Sequence, residues 1–308
     1  MSQPVLPTRK LRELNLVNPV QTGRTRFLSA ASGLVHVGKY LYVVADDENH
    51  LAVFDDEHQS PGKTIRVFAG ELPLEKRPRK EVKPDLEALL RVVHPVHASN
   101  GALILVPSGS QTHRTRGAII DLDSTGAIAG PPRELNFAGV MECLPFDPPN
   151  IEAAFLHRGM FCLLNRGNQK YQPNALVTFE LDEILENLLG GKKLSGQRVH
   201  PIEIGHHEKI PFTCTDASVA GDDIIFTAAA EDTDDSYEDG ATAAAGIGIL
   251  RADGSVAAFS TVSPAHKLEG ISARPVGDKI HCLLVNDEDD PAIPSSLLEC
   301  MMNPRRKP

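Results

Sequence analysis

Glu87-Ala88-Leu89-Leu90-Arg91-Val92-Val93 is an apolar run opened by an acid and a small residue, and the pattern recurs along the chain. Ser32-Gly33, Glu142-Cys143, Asp216-Ala217 and Glu269-Gly270 open comparable runs, at steps of 55, 55, 74 and 53 residues. A repeat of this length made of short strands is the signature of a β-propeller. Each unit reads as four strands. The first runs are 33–37, 87–93, 142–146, 216–219 and 269–273. The second are YLYVVA at 40–45, ALILVP at 102–107, MFCLLN at 160–165, DIIFTAAA at 223–230 and KIHCLLVN at 279–286. These second runs are almost continuously apolar, as expected of strands covered on both faces.

Third runs follow in all five units, but the last unit has no fourth run before the chain ends. LRELNL at 11–16 matches PRELNF at 132–137, so the N-terminal segment is expected to pair with the last blade and close the ring. Closure removes the exposed sheet edges of an open array. The expectation is therefore an all-β, five-bladed β-propeller occupying residues 1–308 as a single domain. The long step holds one short helical insertion, LDEILENLLGG at 181–191. Its Leu181, Ile184, Leu185, Leu188 and Leu189 follow helical spacing, with acids at the start and a Gly-Gly stop.

Composition bounds the chemistry. The net charge of −10 disfavours sequence-independent nucleic-acid binding and an anionic membrane surface. The start, MSQPVLPTRK, lacks the apolar stretch of a secretory signal, and no apolar run reaches the length of a membrane span. Five cysteines without a CxxC pair read as reduced, buried thiols, which places the chain in the cytoplasm. The sequence contains no HExxH, no GxSxG and no P-loop ending.

Strand alternation puts the loops before each first strand and after each second strand on one face. Those loops are the long polar ones, including Asp46-Asp47-Glu48-Asn49, 108–116, 165–170, 231–235 and 286–290. The first-strand openings Ser32, Glu87, Glu142, Asp216 and Glu269 converge at the axis of this face. Four like charges there cannot all remain ionised and unpaired. A divalent cation, pairing with Arg or Lys, or protonation would relieve them; channel water around plain blade-to-blade hydrogen bonds is the structural alternative. The metal reading assigns Glu87, Glu142, Asp216 and Glu269 as ligands. Their oxygen-only chemistry suits Ca2+, with Mg2+ the lesser alternative. Arg114, Arg116, Arg166 and Lys170 lie on the same face and suit a small anionic ligand, and the stretch 76–80 adds further cations as a charged loop.

Asp85-Leu86-Glu87-Ala88-Leu89 and Lys267-Leu268-Glu269-Gly270-Ile271 resemble the strand openings of bacterial phytase-like and esterase-like propellers and of the related SdiA-regulated group. The resemblance implies acidic openings that point into the channel, at Glu87 and Glu269, and calcium in some members. The function expected is binding of a divalent cation and a small anionic ligand, with metal-assisted hydrolysis of a phosphate or carboxylate ester in which Glu87 and Glu269 are catalytic. The alternative is a non-catalytic binding scaffold. Absence of Trp and the presence of only four Tyr argue against a glycosidase or lectin, which lean on aromatic platforms.

Overall fold

The apolar second runs form the interior of each sheet in the computed structural model of the chain, which describes residues 5–56, 59–167, 173–191, 193–231 and 242–303. Blade one is Ala31–Val37, Tyr40–Ala45, His50–Asp55 and Lys63–Arg66. Blade two is Leu86–His94, Ala98–Pro107, Arg116–Asp121 and Arg133–Asn136. Blade three is Ile151–His157, Met160–Asn165, Asn174–Glu180 and Arg198–Ile202. Blade four is Thr213–Ala220, Asp223–Glu231, Thr242–Leu250 and Val256–Ser263. Blade five is Leu268–Val276, Lys279–Asn286 and Ser296–Met302. All five are antiparallel meanders, and their first strands pack side by side in a closed ring around the axis.

The core lies between blades rather than within them. Five apolar clusters each draw on two adjacent blades, as Leu90 and Phe137 of blade two do with Phe161 and Phe179 of blade three. An isolated blade would therefore expose both of its apolar faces, which is why such units fold as a ring.

The N-terminal closure is as the sequence implies. Arg9–Glu13 pairs antiparallel with Ser296–Met302 and becomes the outermost strand of blade five. A preceding strand, Val5–Pro7, adds in parallel to Val256–Ser263 of blade four, which the sequence did not announce. Leu14 and Leu16 follow and are buried between blades five and one.

Among the described residues, three short helices interrupt the strands. Helix α1 is Lys76–Val82, α2 is Ala138–Cys143 and α3 is Leu181–Leu188. The third is the expected insertion, burying Ile184, Leu185 and Leu188 against blade three. The first replaces the charged loop expected at 76–80.

Helix α2 corrects the third unit. Phe137, Val140, Met141 and Leu144 are all buried and recur at helical spacing, so this segment coils instead of extending. Glu142 is exposed on that helix and does not open a blade. The first strand of blade three begins later, at Ile151, and Glu152 takes the place expected of Glu142.

Candidate functional site

Every first strand carries a bulge at the same point. The pairing skips Ser32, Glu87, Glu152, Thr215 and Glu269, one in each blade. A bulged residue leaves the ladder and its side chain is re-aimed. Asp216 is thus one position past the ring, which corrects its assignment as a channel ligand. Its carboxylate accepts a hydrogen bond from the Ile271 N–H of blade five at 2.7 Å. The equivalent glycines show why this position faces the next blade. A Cβ on Gly33 would lie 2.9 Å from the Leu89 nitrogen, and one on Gly270 would lie 3.1 Å from the Leu34 nitrogen. Burial pushes the Asp216 carboxyl well above the usual range, against the pull of the Ile271 and Ala217 N–H groups.

The loop ends repeat as well. Residues after the second strands donate backbone N–H bonds to residues before the first strands. These are Asp46 to Ala30 at 3.2 Å, Ser108 to Asp85 at 2.9 Å, Arg166 to Asn150 at 2.8 Å and Asp287 to Lys267 at 3.1 Å. This second tier stands on the bulge ring, and residues of both, Thr215 and Ser108 excepted, line a cavity of about 430 Å³ at the axis. The cavity opens on the loop face, where the polar loops were expected.

One wall is an ion cluster from blades one and two. Lys83, just past α1, contacts the Asp46 carboxylate and lies 2.7 Å from Asp85 Oδ1. Asp85 also accepts from Arg114 Nη1 at 2.9 Å, Ser110 Oγ at 3.0 Å and Ser108 Oγ. It sits at φ +59°, a left-handed conformation that an aspartate tolerates better than most residues. Burial alone would raise its pKa, but Lys83 and Arg114 hold the carboxylate below its ordinary range. Burial likewise opposes the Lys83 charge, yet Asp46, Asp85 and Glu87 keep the ammonium well above its usual pKa. Asp46, Asp85 and Glu87 can each offer an oxygen within 4.8 Å of the others. One oxygen of Asp46 is buried without a hydrogen-bond partner. Glu87 has no hydrogen-bond or ion-pair partner among the described residues, and burial beside Asp85 and Glu152 pushes its carboxyl well up. The donor set fits a hard divalent cation in chemistry and spacing, but Lys83 already supplies a positive charge to it.

The opposite wall comes from blades three to five. Arg166 Nη2 donates to Glu231 at 2.8 Å, and its Nη1 lies 3.6 Å from Glu152. Lys267 Nζ lies 3.3 Å from Glu269 and 2.9 Å from Asp289. Burial raises Glu152 to about 7 and Asp287 to about 8, and takes Glu269 well above the usual range. Glu152 is therefore a weak acid near neutrality, and burial makes all three ring glutamates weaker acids than an ordinary carboxyl.

Helix α1 spans the rim between these walls. Lys76 Nζ donates to the Asp289 carbonyl at 3.0 Å, and Arg79 Nε meets Asp47 at 3.0 Å.

Of the expected site residues, the structure brings Glu87, Glu269, Arg114 and Arg166 to one cavity. Ser32 joins them from blade one. Arg116 lies elsewhere, half-exposed on the outer part of blade two, paired with Glu134 at 2.8 Å and stacked on Phe68. Lys170 and most of the acidic loop at 231–239 lie outside the described residues. Sequence reasoning missed Glu152, Asp46, Asp85, Lys83 and Lys267 as site residues. Glu152 is the bulged residue of blade three, Asp85 and Lys267 sit two residues before the bulged Glu87 and Glu269, Asp46 follows the second strand of blade one and Lys83 follows α1, a register that only the bulges reveal.

No curated protein sequence matches the chain. Among solved structures, a glutaminyl cyclase from Myxococcus xanthus is similar at 12% identity, over 98% of this chain and 100% of that one, with a TM-score of 0.49. The Cps50 (Swd1) β-propeller domain of Myceliophteria thermophila is similar at 10% identity, over 92% and 73%, with a TM-score of 0.37. A hydrazine synthase from Kuenenia stuttgartiensis is similar at 10% identity and a TM-score of 0.43, over 92% of this chain but 66%, just under two thirds, of its own. At these scores nothing about function transfers from them. No helix among the described residues is long and apolar enough to cross a membrane. Residues 27–302 match the profile of the family described as "Family of unknown function (DUF6929)", and the chain belongs to that family.

Proposed function

We propose that the axial cavity binds a small anionic ligand together with a divalent cation, Ca2+ before Mg2+, and that the bound ligand is an ester or phosphoester that the protein hydrolyses. The observation that carries this reading is the convergence of Asp46, Asp85 and Glu87 oxygens within 4.8 Å on the wall of a ligand-sized cavity. Acids outnumber bases along its lining, and the bases described here are engaged, so an anion is best received through a cation. When bound, that cation would polarise the phosphoryl or carbonyl oxygen of the ligand. Asp46, Asp85 and Glu87 would hold it. Glu269, from blade five, would exchange a proton with the attacking water or the leaving alcohol, burial holding its carboxyl well above the usual carboxylate range. The proposed kinship with phytase-like and SdiA-regulated propellers belongs to this reading. So does a reducing, cytoplasmic setting, which the five free cysteines support.

The second reading is a non-catalytic scaffold, favoured by the Lys83 contacts that already balance Asp46 and Asp85. A thermal melt of chelated protein with Ca2+ or Mg2+, alongside assays on generic phosphate and carboxylate esters, separates the two. The first reading expects a Ca2+-dependent rise in melting temperature that Glu87→Gln abolishes while the variant stays folded. Absence of both shift and turnover would leave the scaffold.

A further inference from the structure

The sequence places a lysine where a metal-binding carboxylate cluster would want only oxygen donors. Lys83 Nζ touches Asp46 and lies 2.7 Å from Asp85 Oδ1, so it sits among the three carboxylates whose oxygens converge within 4.8 Å. Two ions of like charge cannot share that space without strong repulsion. Yet the cluster is not fully satisfied by the lysine. One buried Asp46 oxygen has no hydrogen-bond partner, and Glu87 has none among the described residues. Ser29 supplies a separate observation on the same cavity wall. It is only 7% exposed, its hydroxyl has no hydrogen-bond partner among the described residues, and it lines the cavity. Its neighbour Ala30 accepts the Asp46 N–H at 3.2 Å, so Ser29 adjoins in sequence the backbone that carries Asp46 and lines the same cavity.

We propose that Lys83 is a built-in counter-ion that a divalent cation displaces: the ammonium holds Asp46 and Asp85 together in the metal-free protein and moves out when the ion enters. The inference rests on the reading above that this cluster accepts a cation. Position favours the exchange. Lys83 follows the last residue of α1 and precedes Pro84, and its long side chain is attached at the rim rather than on a blade strand. Withdrawal of the ammonium needs rotation of the side chain alone, while Asp85 and Glu87 stay fixed at the opening of blade two. The ion gains a cluster that is already assembled, and it gives up part of its binding energy to eject the lysine. The native site is therefore a weak one, tuned by its own lysine.

The test is Ca2+ binding by calorimetry to the full chain after chelation, on the wild type and on Lys83→Met, which keeps the length and removes the charge. The expected result is affinity tighter in the variant by about a hundredfold or more, since one unit charge a few ångströms from the ion is removed. A second measurement on the wild type avoids any folding defect of the variant. Amine acetylation mapped by mass spectrometry should show Lys83 protected without Ca2+ and labelled with it, and protected again when chelator is added before the reagent. Equal affinities with unchanged Lys83 labelling would overturn the exchange and leave the cation site standing. No Ca2+ binding by either protein would overturn the cation site and the exchange with it.

Discussion

Arg166 Nη2 donates to Glu231 Oε2 at 2.8 Å, tying the loop after the second strand of blade three to the end of the second strand of blade four. Their side chains are 15% and 6% exposed. Arg166 also faces Glu152 at 3.6 Å, so one guanidinium serves two buried carboxylates. Arg166→Met leaves both without it, and loss of one partner of a buried pair costs about 3–5 kcal/mol. Urea denaturation should show that loss, and Arg166→Met combined with Glu231→Gln should recover part of it. A single variant as stable as the wild type would mean water already reaches these acids.

Gly270 follows the Glu269 bulge, where blade five meets blade one. A Cβ there would lie 2.8 Å from the Ser32 carbonyl oxygen and 2.6 Å from a Val285 methyl. Both are parts of the packed inner ring, so neither can yield cheaply. Gly270→Ala is expected to destabilise by about 1–3 kcal/mol, the usual cost of overpacking. Gly159→Ala, at a turn with open space, measures the separate cost of a side chain at positive φ. Denaturation midpoints of both variants compare them directly.

Protonation of buried acids sets a pH dependence. Burial raises Glu48 to about 8, Asp287 to about 8 and Glu152 to about 7. The folded chain holds these protons over a range where the unfolded chain has released them. Stability therefore falls as pH rises from the ordinary carboxylate range, near 4, towards 8, by at most about 1.4 kcal/mol per pH unit for each group. The protein should resist urea better at about pH 5.5 than at about pH 8. Glu48→Gln, distant from the ring glutamates in sequence, should flatten that slope; an unchanged slope would count against a protonated Glu48.

Deletion of residues 1–16 removes the outer strand of blade five, the parallel strand on blade four and the buried Leu14 and Leu16. At about 2–5 kcal/mol for each buried leucine lost, the truncated protein should melt far below the full chain. The strand Ser296–Met302 also becomes an open edge, so concentration-dependent association should appear in light scattering. A truncated chain with an unchanged melt would show that the ring closes without the strap.

The fold was legible because its signals are local. Five apolar second strands separated by turns count the blades, and the PRELNF likeness at 11–16 reveals where the missing strand comes from. The third blade was misplaced because Glu142-Cys143 fits the spacing, while Phe137, Val140, Met141 and Leu144 carry a helical period that the spacing argument overlooked. That error moved the ring acid from Glu152 to Glu142. Asp216 was misjudged by one residue, because a bulge reverses which of two neighbours faces the axis and sequence pattern does not show a bulge. The lysines were invisible for another reason. Lys83 and Lys267 look like ordinary charged loop residues until the blades converge and bury them among acids.

The strap formed by Val5–Pro7 and Arg9–Glu13 has a consequence for how the molecule is made. The two strands leave the ribosome before any blade strand of the ring, and their partners, Val256–Ser263 and Ser296–Met302, follow only after blades one to three. Throughout synthesis the leading segment has no partner, and blade five has no outer strand. Blades one to three can assemble on the growing chain, but the circle is completed only when the final strands emerge. A ribosome stalled before blade five would thus release a horseshoe with two sticky ends, a natural target for chaperones and proteases.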